Sequence, residues 1–423
     1  MTGLDLITDV LVVGGGPAAT WAALKAAQAG AEVVLADKSY CGTSGATASA
    51  GTGVWYVPPD PAAREAAMAS RERLGGYIDD RRWKERVLDQ TYAGVNELAA
   101  AGRYPFPTGP DGTQLRNGLQ GPEYMRRMRI RVQRAGARIL DHSPVTELLT
   151  DPSGAVAGAR GYRRQAGEGY RVRAGAVVLA TGGCAFLSGA LGCNVNTGDG
   201  ALFAAEAGAE LSGMEFSNAY GIAPEGTSVT KTAFYSFATF YHEDGTVLEG
   251  AASQGGRSVI ARALGPGAAR YATSFGRRGA TRRLVPTGGA GVRPTRTPGT
   301  AAAHREVIAA VQSEVLPYEK NYLRHGTALT TSLAALDATW DEARSALLGT
   351  GPDVVRAREA AAMTAHARWM YASALARTES RGMARRLDFP GQDPAQRHRI
   401  VTGGLDEVWT RREPVAALLE AAS

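Results

Sequence analysis

Apolar residues are grouped in two different patterns along the first 40 positions of the chain. The run Val10–Val13 is short and rich in β-branched residues, as in a strand buried within a parallel sheet. The Ala-rich stretch Thr20–Ala29 has the composition of a helix, which Gly30 ends. A second apolar stretch, Glu32–Ala36, predicts another strand. The pattern therefore predicts a strand–helix–strand unit.

The turn between the first strand and the helix has the spacing G-x-G-x-x-G/A, with Gly14, Gly16 and Ala19 at the three positions. In dinucleotide sites the first glycine permits a tight turn and the second lets the backbone approach the pyrophosphate. The third small residue lets the helix pack closely on the strand. The helix N-terminus favours phosphate groups, and Asp37 after the second strand can accept a hydrogen bond from a ribose hydroxyl. We therefore predict a dinucleotide site here, although a glycine-rich turn without a ligand is the alternative.

Helical and strand-like patterns continue along the rest of the chain and favour an α/β fold. Helices are predicted at 60–101 and 122–136. Short strands follow at Arg138–Asp141, Pro144–Thr150, Val156–Arg164, Tyr170–Ala174 and Ala176–Ala180. After residue 302 the pattern predicts helices Arg305–His325, Leu333–Leu348 and Asp353–Leu387.

Composition narrows the classes of protein that the chain can represent. A length of 423 residues predicts two or three domains. There is no apolar run of 18 residues, and the first strand begins within ten residues of Met1, so we expect neither a membrane span nor a signal peptide. The three cysteines favour a cytoplasmic protein without a disulfide framework, and no Cys/His spacing predicts a metal site. The heavy use of Ala, Arg and Gly suggests a bacterial source with a GC-rich genome. The net charge of +6 comes from scattered arginines, so nucleic-acid binding is not expected.

A second pair of glycine-rich motifs indicates another approach to the same ligand. The strand Ala176–Ala180 leads into Thr181, Gly182 and Gly183, and the motif Asn196–Gly200 precedes an Ala-rich helix. The small residues between Cys41 and Gly51 would let backbone amides approach a flat ligand, or form a flexible loop. Cys184 and Cys193 lie near this region, and small buried thiols are the simplest interpretation of both.

These motifs, in this order, resemble the fumarate reductase/succinate dehydrogenase flavoprotein family, which includes L-aspartate oxidase and the adenylylsulfate reductase flavoprotein. The matching pieces are VVGGGPAA (12–19), ATGG (180–183), NTGDG (196–200), AGAE (207–210), MEF (214–216), GRSVIARAL (256–264), RTESRG (377–382) and DFP (388–390). The resemblance implies FAD, with Ser44–Thr47 and Ala180–Gly183 flanking the flavin and with the backbone of Val145 against the adenine. The predicted cofactor-binding residues are Gly14, Gly16, Pro17, Ala18, Ala19, Asp37, Lys38, Ser44, Gly45, Ala46, Thr47, Val145, Ala180, Thr181, Gly182, Gly183, Asn196 and Asp199.

The resemblance also implies three domains. A Rossmann-like FAD-binding domain is expected at 1–216, with 286–301 as a candidate for its completion. A small α+β capping domain that holds the substrate is expected at 217–285, and a helical domain at 302–423.

Two residues match the catalytic positions of the family. Arg257 aligns with the arginine that exchanges a proton with the substrate, although Ser258 replaces the neighbouring aspartate of the family. Tyr220 stands where the family has a substrate-binding histidine. A tyrosine can donate a hydrogen bond or act as an acid. An arginine on a helix surface and a packed aromatic ring are the structural alternatives.

Other departures from the family change what the resemblance implies. A later family segment, which closes the FAD site and supplies a carboxylate-binding arginine, has no counterpart, so we expect a small organic substrate other than a simple dicarboxylate. The turn Thr43–Thr47 lacks the histidine that links flavin covalently, so non-covalent FAD is expected. A homodimer or a redox partner protein could cover the site. We predict an FAD-dependent oxidoreductase, and the alternative is a non-catalytic flavin-binding scaffold or electron-transfer subunit.

Overall fold

A six-stranded sheet forms the centre of the fold. The computed structural model describes residues 3–102, 104–217, 222–224, 239–242, 244–251, 259, 272–274, 284–286, 302–346 and 351–415. Its strands are β1 (Leu4–Val13), β2 (Val33–Ala36), β3 (Gly51–Gly53), β4 (Gly118–Gln120), β5 (Arg138–Leu140), β6 (Val145–Thr150), β7 (Val156–Arg163), β8 (Glu168–Leu179), β9 (Leu211–Ser212), β10 (Ile222–Pro224), β11 (Thr239–Tyr241), β12 (Ala272–Ser274), β13 (Leu284–Pro286), β14 (His398–Gly403) and β15 (Trp409–Pro414). The central sheet has the order β5-β2-β1-β8-β7-β6. Its first four strands are parallel to one another, β7 is antiparallel to β8, and β6 is antiparallel to β7 and so runs in the direction of the first four.

Helices cover both faces of this sheet and form the C-terminal part of the chain. They are α1 (Pro17–Gln28), α2 (Gly45–Ala48), α3 (Pro61–Gly75), α4 (Arg81–Ala100), α5 (Gly121–Arg134), α6 (Asp199–Glu206), α7 (Ala302–Val315), α8 (Tyr318–Asn321), α9 (Gly326–Ala346) and α10 (Asp353–Ala376). The architecture confirms the predicted Rossmann-like α/β class with a C-terminal helical part. The exact domain boundaries stay predictions.

Strand β1 explains why the sheet is buried on both faces. Val12 contributes to the hydrophobic cluster under α1, α4 and α5, whereas Leu11 and Val13 contribute to a separate cluster on the other face. All three side chains are at most 4% exposed. An apolar run without polar alternation is what a central parallel strand requires.

Several predicted elements differ in extent from those observed, and the helix predicted at Arg305–His325 is divided into α7 and α8. The segments Tyr170–Ala174 and Ala176–Ala180 belong to one strand, β8, because the ladder with β1 runs from Tyr170 to Leu179. The region 60–101 is divided by Gly76, whose φ of 74° ends α3. The helix predicted to reach Leu387 ends at Ala376.

Helix α10 ends early because the charged residues after it pair inside the protein. Arg377 leaves the helix with an extended backbone, and its guanidinium lies 2.8 Å from the carboxylates of both Glu215 and Glu379. Arg381 pairs with the same Glu379 at 2.6 Å. All four side chains are at most 1% exposed, so each charge depends on its partners. Burial raises the pKa of Glu215, and the neighbouring arginine opposes that shift.

This network connects the motif MEF to the C-terminal part of the chain. Arg324, which is 1% exposed, donates to the backbone carbonyl of Glu215 at 2.5 Å. Glu215 therefore receives a buried arginine at its side chain and another at its backbone. The segment before the predicted capping domain is fixed by residues more than 100 positions away in sequence.

The described ranges lack two kinds of feature. None of their helices is long and apolar enough to cross a membrane. No group of three His, Cys, Asp or Glu side chains in those ranges is arranged to hold a metal ion.

Candidate functional site: a cleft at the carboxyl ends of the parallel strands

A cleft opens where β1, β2 and β8 end. The last residue of β1, Val13, pairs with Ala36 of β2 on one side and with Leu179 of β8 on the other. The three strands therefore end at the same level. In open α/β sheets, ligands bind in the crevice at such a position.

Sixteen predicted cofactor residues line this cleft, among 21 lining residues in all. They are Gly14, Gly16, Pro17, Ala18, Asp37, Lys38, Ser44, Gly45, Ala46, Thr47, Val145, Ala180, Thr181, Gly182, Asn196 and Asp199. The two others do not line it. Ala19 is fully buried in α1, where it packs in the core, and Gly183 lies beyond the strand end on the exposed surface.

Five lining residues were not predicted. They are Val13, Gly15, Ala36, Val195 and Phe203. Four of these are sequence neighbours of predicted residues, so the motifs could have included them. Phe203 lies one turn after Asp199 on α6, and a helical projection from Asp199 would have found it.

The first glycine turn has the geometry that a pyrophosphate needs. Gly14 has φ +121°, and a Cβ there would lie 2.7 Å from the carbonyl carbon of Ala180. Gly16 is the N-cap of α1, with φ −79° and ψ −171°, and a Cβ there would meet no heavy atom within 4 Å. The turn can therefore form only if position 14 has no side chain. At Gly16 the missing side chain instead leaves an open space at the start of α1. An anionic group fits that space because the helix N-terminus carries a partial positive charge.

Asp37 offers an oxygen for a ligand. The residue is 6% exposed, and its Oδ1 accepts a hydrogen bond from the backbone N–H of Ser39 at 3.2 Å. Its Oδ2 is buried and has no hydrogen-bond partner among the described residues. Burial raises the pKa of the carboxyl group. A buried acceptor without a donor is unfavourable unless a ligand satisfies it, and a ribose hydroxyl supplies such a donor.

Lys38 has a different environment from Asp37. Its Nζ forms an ion pair with Asp199 and lies 3.1 Å from Oε1 of Glu359 on α10. It also donates to the hydroxyl of Thr197, which in turn donates to Asp199. The side chains of Lys38 and both acids are at most 14% exposed. A residue of the C-terminal helical part therefore helps to build the wall of the cleft.

Asn196 lies between two glycine turns on opposite sides of the cleft. A Cβ at Gly182 would lie 2.7 Å from its Nδ2, and one at Gly45 would lie 4.0 Å from its Oδ1. The backbone N–H of Gly45 also donates to the carbonyl of Gly192 at 3.0 Å. The turn Ser44–Thr47 and the segment after β8 are therefore joined across the cleft.

The cysteines near the cleft are free thiols. Burial raises the pKa of Cys41 to about 12, and burial likewise raises the pKa of Cys184. Such thiols are protonated at neutral pH and poor nucleophiles. The predicted catalytic residues Arg257 and Tyr220 lie outside the described residues, so their positions relative to the cleft stay predictions.

Comparison with known proteins identifies the family. The sequence profile of the FAD binding domain matches residues 9–220, and that of the fumarate reductase flavoprotein C-terminus matches residues 319–413. An L-aspartate oxidase of Streptomyces coelicolor is 31% identical over 233 residues, which are 51% of this chain and 40% of that protein. The chain thus aligns with less than half the length of that relative.

Solved structures show the same fold over nearly the whole chain. The Escherichia coli quinol fumarate reductase FrdA superposes with a TM-score of 0.79, covers 97% of both chains and is 16% identical. Adenylylsulfate reductase from Archaeoglobus fulgidus superposes with a TM-score of 0.73, covers 97% of this chain and 96% of its own, and is 14% identical. The chain belongs to the fumarate reductase/succinate dehydrogenase flavoprotein family of FAD-dependent oxidoreductases. Its cofactor is FAD, and the open glycine turn and the unpaired Asp37 oxygen fit that dinucleotide.

Proposed function

We propose that this protein moves a hydride between non-covalently bound FAD and a small organic substrate other than a simple dicarboxylate. The observation that carries the proposal is the combination in one cleft of an open helix N-terminus at Gly16 and an unsatisfied buried oxygen on Asp37. FAD, when bound, supplies a ring system that accepts or gives a hydride. The residues of this chain bind and orient it.

The geometry of the cleft supports a role for each of its parts. Gly16 and the start of α1 would receive the pyrophosphate, and Asp37 would accept from the ribose at the end of β2. The backbone near Val145 would border the adenine. The segment Ser44–Thr47, together with Gly182 and Asn196, would border the flavin. No histidine occurs in Thr43–Thr47, which supports non-covalent binding.

Arg257 and Tyr220 are our candidates for the substrate side, on the basis of the motif match alone. Arg257 would exchange the proton that accompanies the hydride, and Tyr220 would donate a hydrogen bond to the substrate. The replacement of the family histidine by Tyr220 and the missing carboxylate-binding segment support a substrate other than a dicarboxylate.

The test is an absorbance spectrum of the purified protein after reconstitution with FAD, taken before and after heat precipitation. We expect oxidised-flavin bands in the near-ultraviolet and blue, and yellow colour released into the supernatant. Colour that stays with the precipitate would contradict non-covalent binding. A protein that takes up no FAD would refute the oxidoreductase proposal.

Anaerobic reduction of the bound flavin by a panel of small organic donors then tests catalysis. The wild type should be reduced by at least one donor, and Arg257→Lys and Tyr220→Phe should slow that step. Arg278→Lys, from the arginine-rich stretch that follows, is the matched control. Bound FAD that no donor reduces and no acceptor reoxidises would favour a flavin-binding scaffold or electron-transfer subunit instead.

A further inference from the structure

The segment after β8 contains a turn that its sequence disfavours. The backbone N–H of Ser188 donates to the carbonyl of Ala185 at 3.0 Å, so Phe186 and Leu187 are the central residues of the turn. Both have φ 51°. Turns with two central residues of positive φ strongly prefer glycine, asparagine or aspartate, because a bulky side chain is crowded in this conformation. Something outside the turn must hold Phe186 and Leu187 in it.

Helix α7 supplies that restraint. The side-chain Nε2 of Gln312 donates to the carbonyl of Phe186 at 2.8 Å and to that of Leu187 at 3.3 Å. The ring of Phe186 is 7% exposed and packs in the core of the C-terminal helices with Val311 and Met363. One amide group and one buried ring therefore fix both left-handed residues.

The far side of the same segment is attached to the cofactor cleft. The hydroxyl of Ser49 donates to the carbonyl of Leu191 at 2.9 Å, and the N–H of Gly45 donates to the carbonyl of Gly192. The segment then continues directly into Val195 and Asn196, which line the cleft. Residues 184–193 thus form a bridge from α7 to the segment Ser44–Thr47, which would border the flavin.

We propose that Gln312 is a positioning residue for the flavin. By holding Phe186 and Leu187 in the left-handed conformation, it keeps the bridge in the form that places Gly45 and Asn196 around the cofactor. The inference rests on the proposed FAD site and adds to it a control of cofactor affinity by the C-terminal helices. Gln312 does not line the cleft itself.

The test compares FAD binding in Gln312→Met, which keeps the length of the side chain and removes its donor. The apoprotein is titrated against FAD and the quenching of flavin fluorescence is followed. We expect binding about tenfold weaker than in wild type, the loss that corresponds to roughly one neutral hydrogen bond. Ser313→Ala is the matched control, because within the described ranges the Ser313 hydroxyl bonds only the carbonyl of Ala310 in the same helix.

A second substitution separates positioning from general stabilisation. Leu187→Gly relieves the crowding at one left-handed residue, since glycine adopts positive φ readily. In the Leu187→Gly background, Gln312→Met should weaken FAD binding by less than about threefold. A role limited to stabilising α7 would instead lower the unfolding midpoint of the apoprotein equally in both backgrounds, without this rescue. If Gln312→Met does not fold, Gln312→Leu, which also has no donor, provides the same comparison.

The outcomes are distinct. Tenfold weakening with rescue supports the inference. Affinity equal to that of Ser313→Ala, or an equal loss in both backgrounds, overturns it and leaves the proposed function standing. A wild-type protein that binds no FAD overturns the proposed function and this inference together.

Discussion

Gly14 and Gly16 belong to one turn, yet the structure predicts different results when each is replaced by alanine. At Gly14 the backbone has φ +121°, and a Cβ would lie 2.7 Å from the carbonyl carbon of Ala180. At Gly16 the backbone is extended, and a Cβ would meet no heavy atom within 4 Å. Gly14→Ala should therefore lower the free energy of unfolding. Gly16→Ala should leave that free energy nearly unchanged and weaken FAD binding.

The expected magnitudes follow from these environments. A residue with a Cβ loses about 1–2 kcal/mol in a left-handed conformation, and displacement of the Ala180 carbonyl adds to that loss at Gly14. An alanine at a compatible position such as Gly16 changes the free energy of unfolding by less than about 1 kcal/mol. Its methyl group would occupy the approach of the pyrophosphate. Loss of one charge-assisted hydrogen bond, about 1.5–3 kcal/mol, would weaken FAD binding roughly 10- to 150-fold.

Two measurements test this pair. Urea denaturation of the apoprotein, followed by circular dichroism, gives the free energy of unfolding. Titration with FAD, followed by flavin fluorescence, gives the dissociation constant. Gly53→Ala is the control, because a Cβ at Gly53 in β3 meets no heavy atom within 4 Å and Gly53 lies outside the cleft.

Two results would refute the reasoning. If Gly16→Ala binds FAD as tightly as Gly53→Ala, the pyrophosphate does not approach the backbone at Gly16. If Gly14→Ala is as stable as the wild type, the close approach to Ala180 does not constrain the turn.

Three further predictions concern charged groups. Lys38→Met should lower the free energy of unfolding by about 3–5 kcal/mol in urea denaturation, because it leaves Asp199 and Glu359 without their shared cation. A decrease in the free energy of unfolding below about 1 kcal/mol would contradict this. Burial lowers the pKa of His366 from 6.5 to about 4. As the pH falls, the unfolded chain therefore binds the proton before the folded protein does. The free energy of unfolding should decrease between these two pH values, by roughly 3 kcal/mol in all. His366→Leu should remove that slope when unfolding is measured at pH 7 and pH 4.5, and an unchanged slope would refute the assignment. Asp37→Asn should weaken FAD binding about tenfold, since one charged hydrogen bond is lost. Because burial raises the pKa of Asp37, the affinity of the wild type for FAD should fall as the pH is lowered through that pKa. The affinity of the variant should show no such fall.

The nucleotide cleft could be predicted because its determinants are local in sequence. The unit from Val10 to Asp37 contains the strand, turn, helix and acid in one stretch, and each has a distinct residue pattern. The main error in this region was the division of β8 at Gly175. A glycine suggests a break in a strand, but the ladder with β1 on both sides of Gly175 keeps the strand continuous.

The contributions of the C-terminal part could not be predicted in this way. Glu359 reaches Lys38 from 321 positions away, and no local pattern marks an acid as the partner of a distant lysine. The arginines after Ala376 resemble the polar face of a helix, so the sequence suggested that α10 continued to Leu387. Their carboxylate partners, including Glu215, become apparent only when the chain is folded. Periodicity describes which residues share a face and contains no information on ion pairs between distant segments.

The buried pair of Glu215 and Arg377 has a consequence for biosynthesis. Arg377 follows Glu215 by 162 residues. At typical elongation rates of about 5–20 residues per second, the ribosome needs roughly 10 to 30 s to add the partner. During that interval the nascent chain already contains every nucleotide-binding glycine, but the carboxylate of Glu215 must stay hydrated. The interior around Glu215 is therefore completed only after Arg377 has been synthesised, and a chain that stops before Arg377 presents an unfinished interior to the chaperones and proteases of the cell.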